Sequence, residues 1–139
     1  MSEVQYQWRG QFINQELNEL HAEAFDHRVY DSSEWDWVEL CAAHSLGWVT
    51  ARIEGELVGF LNVISDGFVH AWIQDEMVSL SARHQGIGVG LVHAATDAAR
   101  EAGCEWLHVD FDDGLEPFYY GAAGFTPTNG GLIDLTATE

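Results

Sequence analysis

The 139-residue chain contains no lysine. That one absence removes the Walker lysine of nucleotide-binding loops, the Schiff-base lysine and the attachment point of pyridoxal phosphate. Basic residues are scarce altogether: five arginines stand against 23 acidic residues, a formal net charge of −18. Such a chain repels the phosphates of nucleic acid unless it carries a local basic patch, and no patch is visible. Only two cysteines occur, Cys41 and Cys104, far apart, so no disulfide framework is expected and each reads as a small buried hydrophobe in a reducing compartment. The seven histidines show neither an i, i+4 pair beside a carboxylate nor a spacing typical of zinc, and no metal is expected. No run approaches ~18 apolar residues, and the start Met1-Ser2-Glu3-Val4-Gln5 has no basic or apolar leader; no membrane association is expected, and the reading is a cytoplasmic protein.

What is present is a globular composition, 47% hydrophobic with six Trp and seven Phe spread over the length. A short strand is expected at Val4–Trp8. Ile13, Leu17, Leu20 and Ala24 then recur at helical spacing. Ser32 and Ser33 suit the cap of a second helix running to about His44, with Glu34 and Asp36 near its positive end. From Trp48 the texture becomes β-rich: Trp48–Ile53, Leu57–Ile64 and Phe68–Leu80, separated by Glu54-Gly55-Glu56 and Ser65-Asp66-Gly67, predict an antiparallel meander. Leu91, Ala95, Ala98 and Ala102 mark a helix over 88–102 stopped by Gly103, and Leu107, Val109 and Phe111 alternate as a strand over 106–111. Strand, helix and strand make a right-handed β-α-β crossover. A helical turn around Leu115–Ala123 and a strand around Phe125–Leu135 close one α+β domain, with Pro117 and Pro127 at element boundaries.

The segment Arg83-His84-Gln85-Gly86-Ile87-Gly88-Val89-Gly90 lies between the strand and the helix of that crossover. Glycines at alternate positions let backbone approach a ligand, and the orphan amides and dipole of a helix N-terminus favour a pyrophosphate. The plainer reading is a glycine-rich turn. A dinucleotide fingerprint starting at Gly86 would need glycine where Leu91 stands, and a P-loop would need Gly-Lys-Ser/Thr, so both fail.

Arg83-His84-Gln85-Gly86-Ile87-Gly88 resembles the Arg/Gln-x-x-Gly-x-Gly/Ala motif of the GNAT acetyltransferases. Phe118-Tyr119-Tyr120-Gly121-Ala122-Ala123-Gly124-Phe125 resembles the family's downstream tyrosine, four residues before Gly-Phe. The stretch Glu76-Met77-Val78-Ser79-Leu80 falls where the family's central strand splays open. The resemblance implies one domain over residues 1–139: a mixed, mostly antiparallel sheet of six to seven strands, about four helices and a β-α-β unit that binds acetyl-CoA. It implies transfer of the acetyl group to a primary amine by direct attack in a ternary complex, and a homodimer as a family-level expectation. A catalytically silent acyl-CoA-binding or regulatory module is the competing expectation.

Under that resemblance, acetyl-CoA is held by Val78, Ser79, Leu80 and residues 83–90, with the Val78 N–H on the thioester carbonyl and Leu80 beside the pantetheine chain. Tyr120 is the expected general acid, because a phenol of pKa about 10 can protonate a thiolate whose acid has pKa about 8.5; adjacent Tyr119 competes. Strict alternation puts Val78, Glu76, Gln74 and Trp72 on one face and Met77 and Asp75 on the other. Glu76 is therefore the expected base, acting through water with its pKa raised by burial, over Asp75, which is expected to face substrate instead. Trp35 and Trp37 either line a cation–π acceptor pocket or pack in the core. The acidity suits a cationic acceptor or simply solubility. Asp113 stands where many family members carry Asn, and a carboxylate cannot donate the amide hydrogen bond.

Overall fold

The computed structural model describes residues 3–137. The chain divides into two compact units, one ending at Val109 and one beginning at Asp110. The first holds a five-stranded sheet of β1 (Val4–Trp8), β2 (Ser45–Ile53), β3 (Glu56–Ser65), β4 (His70–Val78) and β5 (Trp106–His108) in sequential order. All neighbours are antiparallel except β4 and β5, which α3 (Ile87–Glu101) joins as a parallel crossover. The β2–β3 hairpin closes through Glu54 and Gly55, both at positive φ (50° and 83°), the mirror-image turn that matches strand twist. At the next hairpin the Asp66 carboxylate accepts the N–H groups of Phe68 and His70, at 2.8 and 3.3 Å.

α3 buries Ile87, Leu91, Ala95 and Ala99, one residue every turn, and contacts β1 to β4. The expected stripe through Ala98 and Ala102 is displaced onto Ala99, because the row begun by Ile87 is the one that meets the sheet. On the opposite face α1 (Asn14–Phe25) and α2 (Trp37–His44) cover the strands, with Leu17, Leu20, Trp37 and Cys41 packed on Leu57, Phe60 and Met77. Burying side chains of this size stabilises by roughly 1.5–3 kcal/mol each relative to exposure. Arg52 on β2 fixes the start of α1: it pairs with Glu16 at 2.7 Å, while Glu16 also accepts the Ile13 N–H at 3.0 Å. Both interactions hold the Glu16 carboxyl below its usual range, the Arg52 bond most of all.

Further expectations change. α2 begins at Trp37 and not near Ser33, because Asp36 accepts the Glu39 N–H at 3.0 Å, whereas Asp31 folds Ser33 and Glu34 into a preceding turn. The strand at 106–111 stops at His108. The expected strand around Phe125–Leu135 is irregular: Leu132, Ile133 and Leu135 are 83%, 84% and 93% exposed, and β-prone residues become a strand only where a neighbouring edge supplies hydrogen bonds. The described residues therefore carry five strands and not six or seven.

The unit beginning at Asp110 is built on rings. Tyr119 stacks on Phe111 with centroids 4.4 Å apart and meets Phe118 and Phe125 edge-on. A π-helical turn, Pro117–Ala122, carries both tyrosines.

Candidate active site

β4 changes character halfway along. Ala71 and Trp72 pair with β3 on one side and β5 on the other; the β5 ladder begins at His70↔Trp106 and ends at Trp72↔His108. Beyond that, β3 pairs Asn62 with Gln74 but Phe60 with Met77, so Asp75 and Glu76 together oppose Leu61. This is a β-bulge, and Asp75 sits in it with φ 58°, a left-handed conformation uncommon for a side chain other than glycine.

The bulge overturns the expected alternation. Register places Met77 with Phe60, Asn62, Gln74 and Trp72 on the face covered by α1 and α2. Val78 pairs with Gly59, where an added Cβ would meet Ile87 and Leu91, so Val78 belongs to the α3 face. One extra residue exchanges the faces of everything after it. Backbone donors follow the same parity. The Ser79 N–H donates to the Val58 carbonyl at 2.8 Å, which turns the Val78 N–H to the opposite edge, where the β5 ladder has already ended. The Val78 carbonyl on that edge accepts Arg83 Nε at 3.4 Å.

Past Val78 the chain makes a short 3₁₀ turn, Leu80–Ala82, and runs exposed through Arg83, His84, Gln85 and Gly86. Gly86 is the N-cap of α3 at φ 78°, with open space where a Cβ would stand. The first intrahelical bond is Gly90 N–H to the Gly86 carbonyl at 3.0 Å, so the amides of Ile87, Gly88 and Val89 precede it and form the positive end of the helix. Gly90 has another reason to lack a side chain: a Cβ there would come within 2.2 Å of the Tyr6 hydroxyl, so it lets β1 pack on α3. Ser79 is buried, its hydroxyl 3.1 Å from that of Ser81. Leu80 is 56% exposed, and its N–H donates to the Glu23 carboxylate at the end of α1. Glu23 was not singled out from sequence, because as a helical residue off the apolar stripe it carries no distinguishing pattern.

The two acids of the bulge differ. Asp75 faces the α1–α2 side: its carboxylate hydrogen-bonds the Asn62 side chain and lies near the Cys41 thiol, and burial raises its pKa. Glu76, next in the bulge, is half-buried. Burial likewise pushes the Cys41 thiol up to about 11. Both cysteines are free.

The tryptophans separate. Trp37 is 1% exposed and its indole N–H donates to Asn18 Oδ1 at 2.8 Å, so it is a core residue and not a pocket wall. Asn18 in turn donates from Nδ2 to the Trp35 carbonyl at 3.1 Å. Trp35 is 44% exposed and continues a row of rings through Tyr30 to His27. Glu34, clamped by Arg28, has its pKa lowered to about 2, and Arg28 lies over the Tyr30 ring at 4.8 Å.

In the second unit Tyr119 is buried at 8% and Tyr120 is 39% exposed, edge-on to Phe111 at 5.3 Å. The two rings are therefore directed differently, because successive residues of a helical turn project around its axis and not along one face. Asp113 is exposed in the turn before Leu115.

Among the described residues no helix is long and apolar enough to cross a membrane. Among curated protein sequences none matches the chain. Solved structures resemble its fold at low identity. A probable acetyltransferase from meticillin-resistant Staphylococcus aureus is 20% identical with a TM-score of 0.76, over 95% of this chain and 98% of that one. A transcriptional regulator from Bacillus halodurans is 21% identical with a TM-score of 0.78, over 95% and 99%. The aminoglycoside acetyltransferase AAC(6')-Iy, solved with a bisubstrate analogue of CoA and acetylneamine, is 17% identical with a TM-score of 0.77, over 99% and 100%. The model of the acetyltransferase (GNAT) family matches residues 11–125, so the chain belongs to that family.

Proposed function

We propose that the chain transfers the acetyl group of acetyl-CoA to a primary amine by direct attack in a ternary complex, and that residues 1–139 act as one acetyltransferase domain. The family match at 11–125 runs across the boundary at Val109, which supports reading both units together. The carrying observation is the Val78 N–H turned to an edge that β5 has left, on a strand that leads into the positive end of α3.

The amides of Ile87, Gly88 and Val89 receive the pyrophosphate of the coenzyme, with Arg83, His84, Gln85 and Gly86 around it and Val89 to Gly90 as the first turn. Ser79 and Leu80 run beside the pantetheine. The amine nitrogen attacks the thioester carbon, the carbonyl oxygen gains charge and the Val78 N–H stabilises it; such donors strengthen as charge develops. The C–S bond then breaks. Glu76 takes the proton of the attacking amine through water, and Tyr120 gives a proton to the departing thiolate. The net charge of −18 steers a cationic acceptor, and exposed Trp35 offers it a ring face. Aminoglycoside N-acetyltransferases among the structural neighbours, one holding a CoA-linked analogue, support a CoA thioester and an amine as the reacting pair.

Thiol release from acetyl-CoA, measured across polyamines, aminoglycosides, amino acids and peptides, tests the reading. Turnover with at least one amine is expected. Binding of acetyl-CoA with no turnover on any amine would instead identify a silent acyl-CoA-binding module, since a ligand at a hundredfold excess over its Kd still stabilises by about 2.7 kcal/mol.

A further inference from the structure

Asn62 stands 2% exposed in the middle of β3, between Leu61 and Val63, which are fully buried apolar residues. A buried amide at such a position needs partners for both ends. The Ser45 hydroxyl donates to Asn62 Oδ1 at 2.5 Å, and this orients the amide, leaving Nδ2 as the donor to the Asp75 carboxylate. Ser45 also hydrogen-bonds the Cys41 thiol one helical turn earlier. A polar row thus crosses from the end of α2 through β2 and β3 to the bulge of β4, and no step of the proposed chemistry uses Asn62 or Ser45.

At the far end of that row Asp75 holds φ 58°. If Asp75 relaxed to ordinary extended backbone, the bulge would vanish. Phe60 would then pair with Glu76 in place of Met77, Val58 would face Val78, and the Val78 N–H would turn inward to the Val58 carbonyl. The amide at the open edge would then belong to Met77.

We propose that Asn62 is a positioning residue: oriented by Ser45, it clamps Asp75 in its left-handed conformation and so keeps the bulge that aims the Val78 N–H at the open edge of β4. Its effect on rate rests on the acyl-transfer reading given above; its effect on register does not. Glycine takes positive φ without a clamp, and this provides the discriminating variant.

Asn62→Ala in the native background should lower kcat by about tenfold while KM for acetyl-CoA stays within about twofold, because the pyrophosphate site at α3 is untouched. In an Asp75→Gly background the same substitution should cost nothing further, since the bulge then needs no side chain to hold it. Equal losses in both backgrounds would overturn the proposal by making Asn62 a packing residue. An inactive Asp75→Gly protein with intact register would also overturn it, because the carboxylate would then act in the chemistry directly. Ser45→Ala, which withdraws only the orienting hydroxyl, should lower kcat about threefold and replaces Asn62→Ala if that variant does not fold. An unchanged kcat for Ser45→Ala counts against the clamp.

Cross-strand amide contacts by NMR read the register without any substrate. Phe60 should contact Met77 in the unsubstituted protein and Glu76 in part of the Asn62→Ala population, and an unshifted register sinks the clamp. If the register shifts as expected but the unsubstituted protein releases no thiol with any amine, the clamp stands and the acetyltransferase reading fails.

Discussion

The two halves of β4 make the most instructive comparison in this molecule. Ala71 and Trp72 are paired on both sides, and Ala71 and Ile73 are buried against the α3 face. Asp75 to Val78 is paired on one side only and begins with a bulge. The first half is scaffold, held between two neighbouring strands. In the second half the ladder to β5 is absent, and a donor facing that edge is available for other work. The same strand supplies a half held on both sides and a half with an open edge, and rigidity in the first holds the second in place.

The largest expected effect breaks the second half. Val78→Pro removes the N–H that faces the open edge, a position where proline is sterically tolerated, and should lower kcat by about 10²–10³ with little change in Tm. A comparable loss of stability instead would mean that this N–H has a structural partner. The scaffold half should respond in the opposite way. Ile73, 3% exposed, becomes a cavity in Ile73→Ala, costing about 3 kcal/mol in denaturant unfolding while KM for acetyl-CoA is unchanged in the folded protein.

Tyr120→Phe asks whether the unit beginning at Asp110 shares in the chemistry. A fall in kcat of about a hundredfold is expected, whereas Tyr119→Phe, at a residue buried against Phe111, should act more on stability than on rate. An unchanged rate for Tyr120→Phe would remove it as the acid.

The smallest effect lies beneath the bulge. The Cys41 thiol titrates at its ordinary value near 9 in the unfolded chain and at about 11 in the folded one. Between those values the unfolded state has lost the proton and the folded state keeps it, so stability falls as pH rises. At pH 10 the loss should be about 1.4 kcal/mol, one pKa unit of linkage, and Cys41→Ala should abolish that part of the pH dependence in urea titrations.

Much of this was legible without coordinates. Alternation, turn residues and helical spacing placed the β2–β3 hairpin, the crossover through α3 and the glycine start of that helix, because each is a short-range preference written in a few adjacent residues. The α2 start was misjudged because Ser33 and Asp36 are both competent caps, and only the path of the chain decides that Asp36 is used. Trp37 and Trp35 were indistinguishable by spacing; burial separated them. Asn62 did leave a trace, a lone amide in an apolar strand, but its meaning depended on which side chains stand opposite. Gly90 lies in the glycine run that the sequence assigns to the ligand loop, and only the structure adds that Tyr6 packs against it.

By itself the sequence determined the family, the order of the elements and the left-handed glycine at the head of α3, since these follow from local backbone sterics and from spacing along the chain. The Val78 N–H was named through the family resemblance, but only the tertiary structure shows the bulge that turns it to the open edge. That outcome turns on a single extra residue at Asp75, and whether a residue bulges or pairs depends on the strand beside it, which spacing along the chain does not encode.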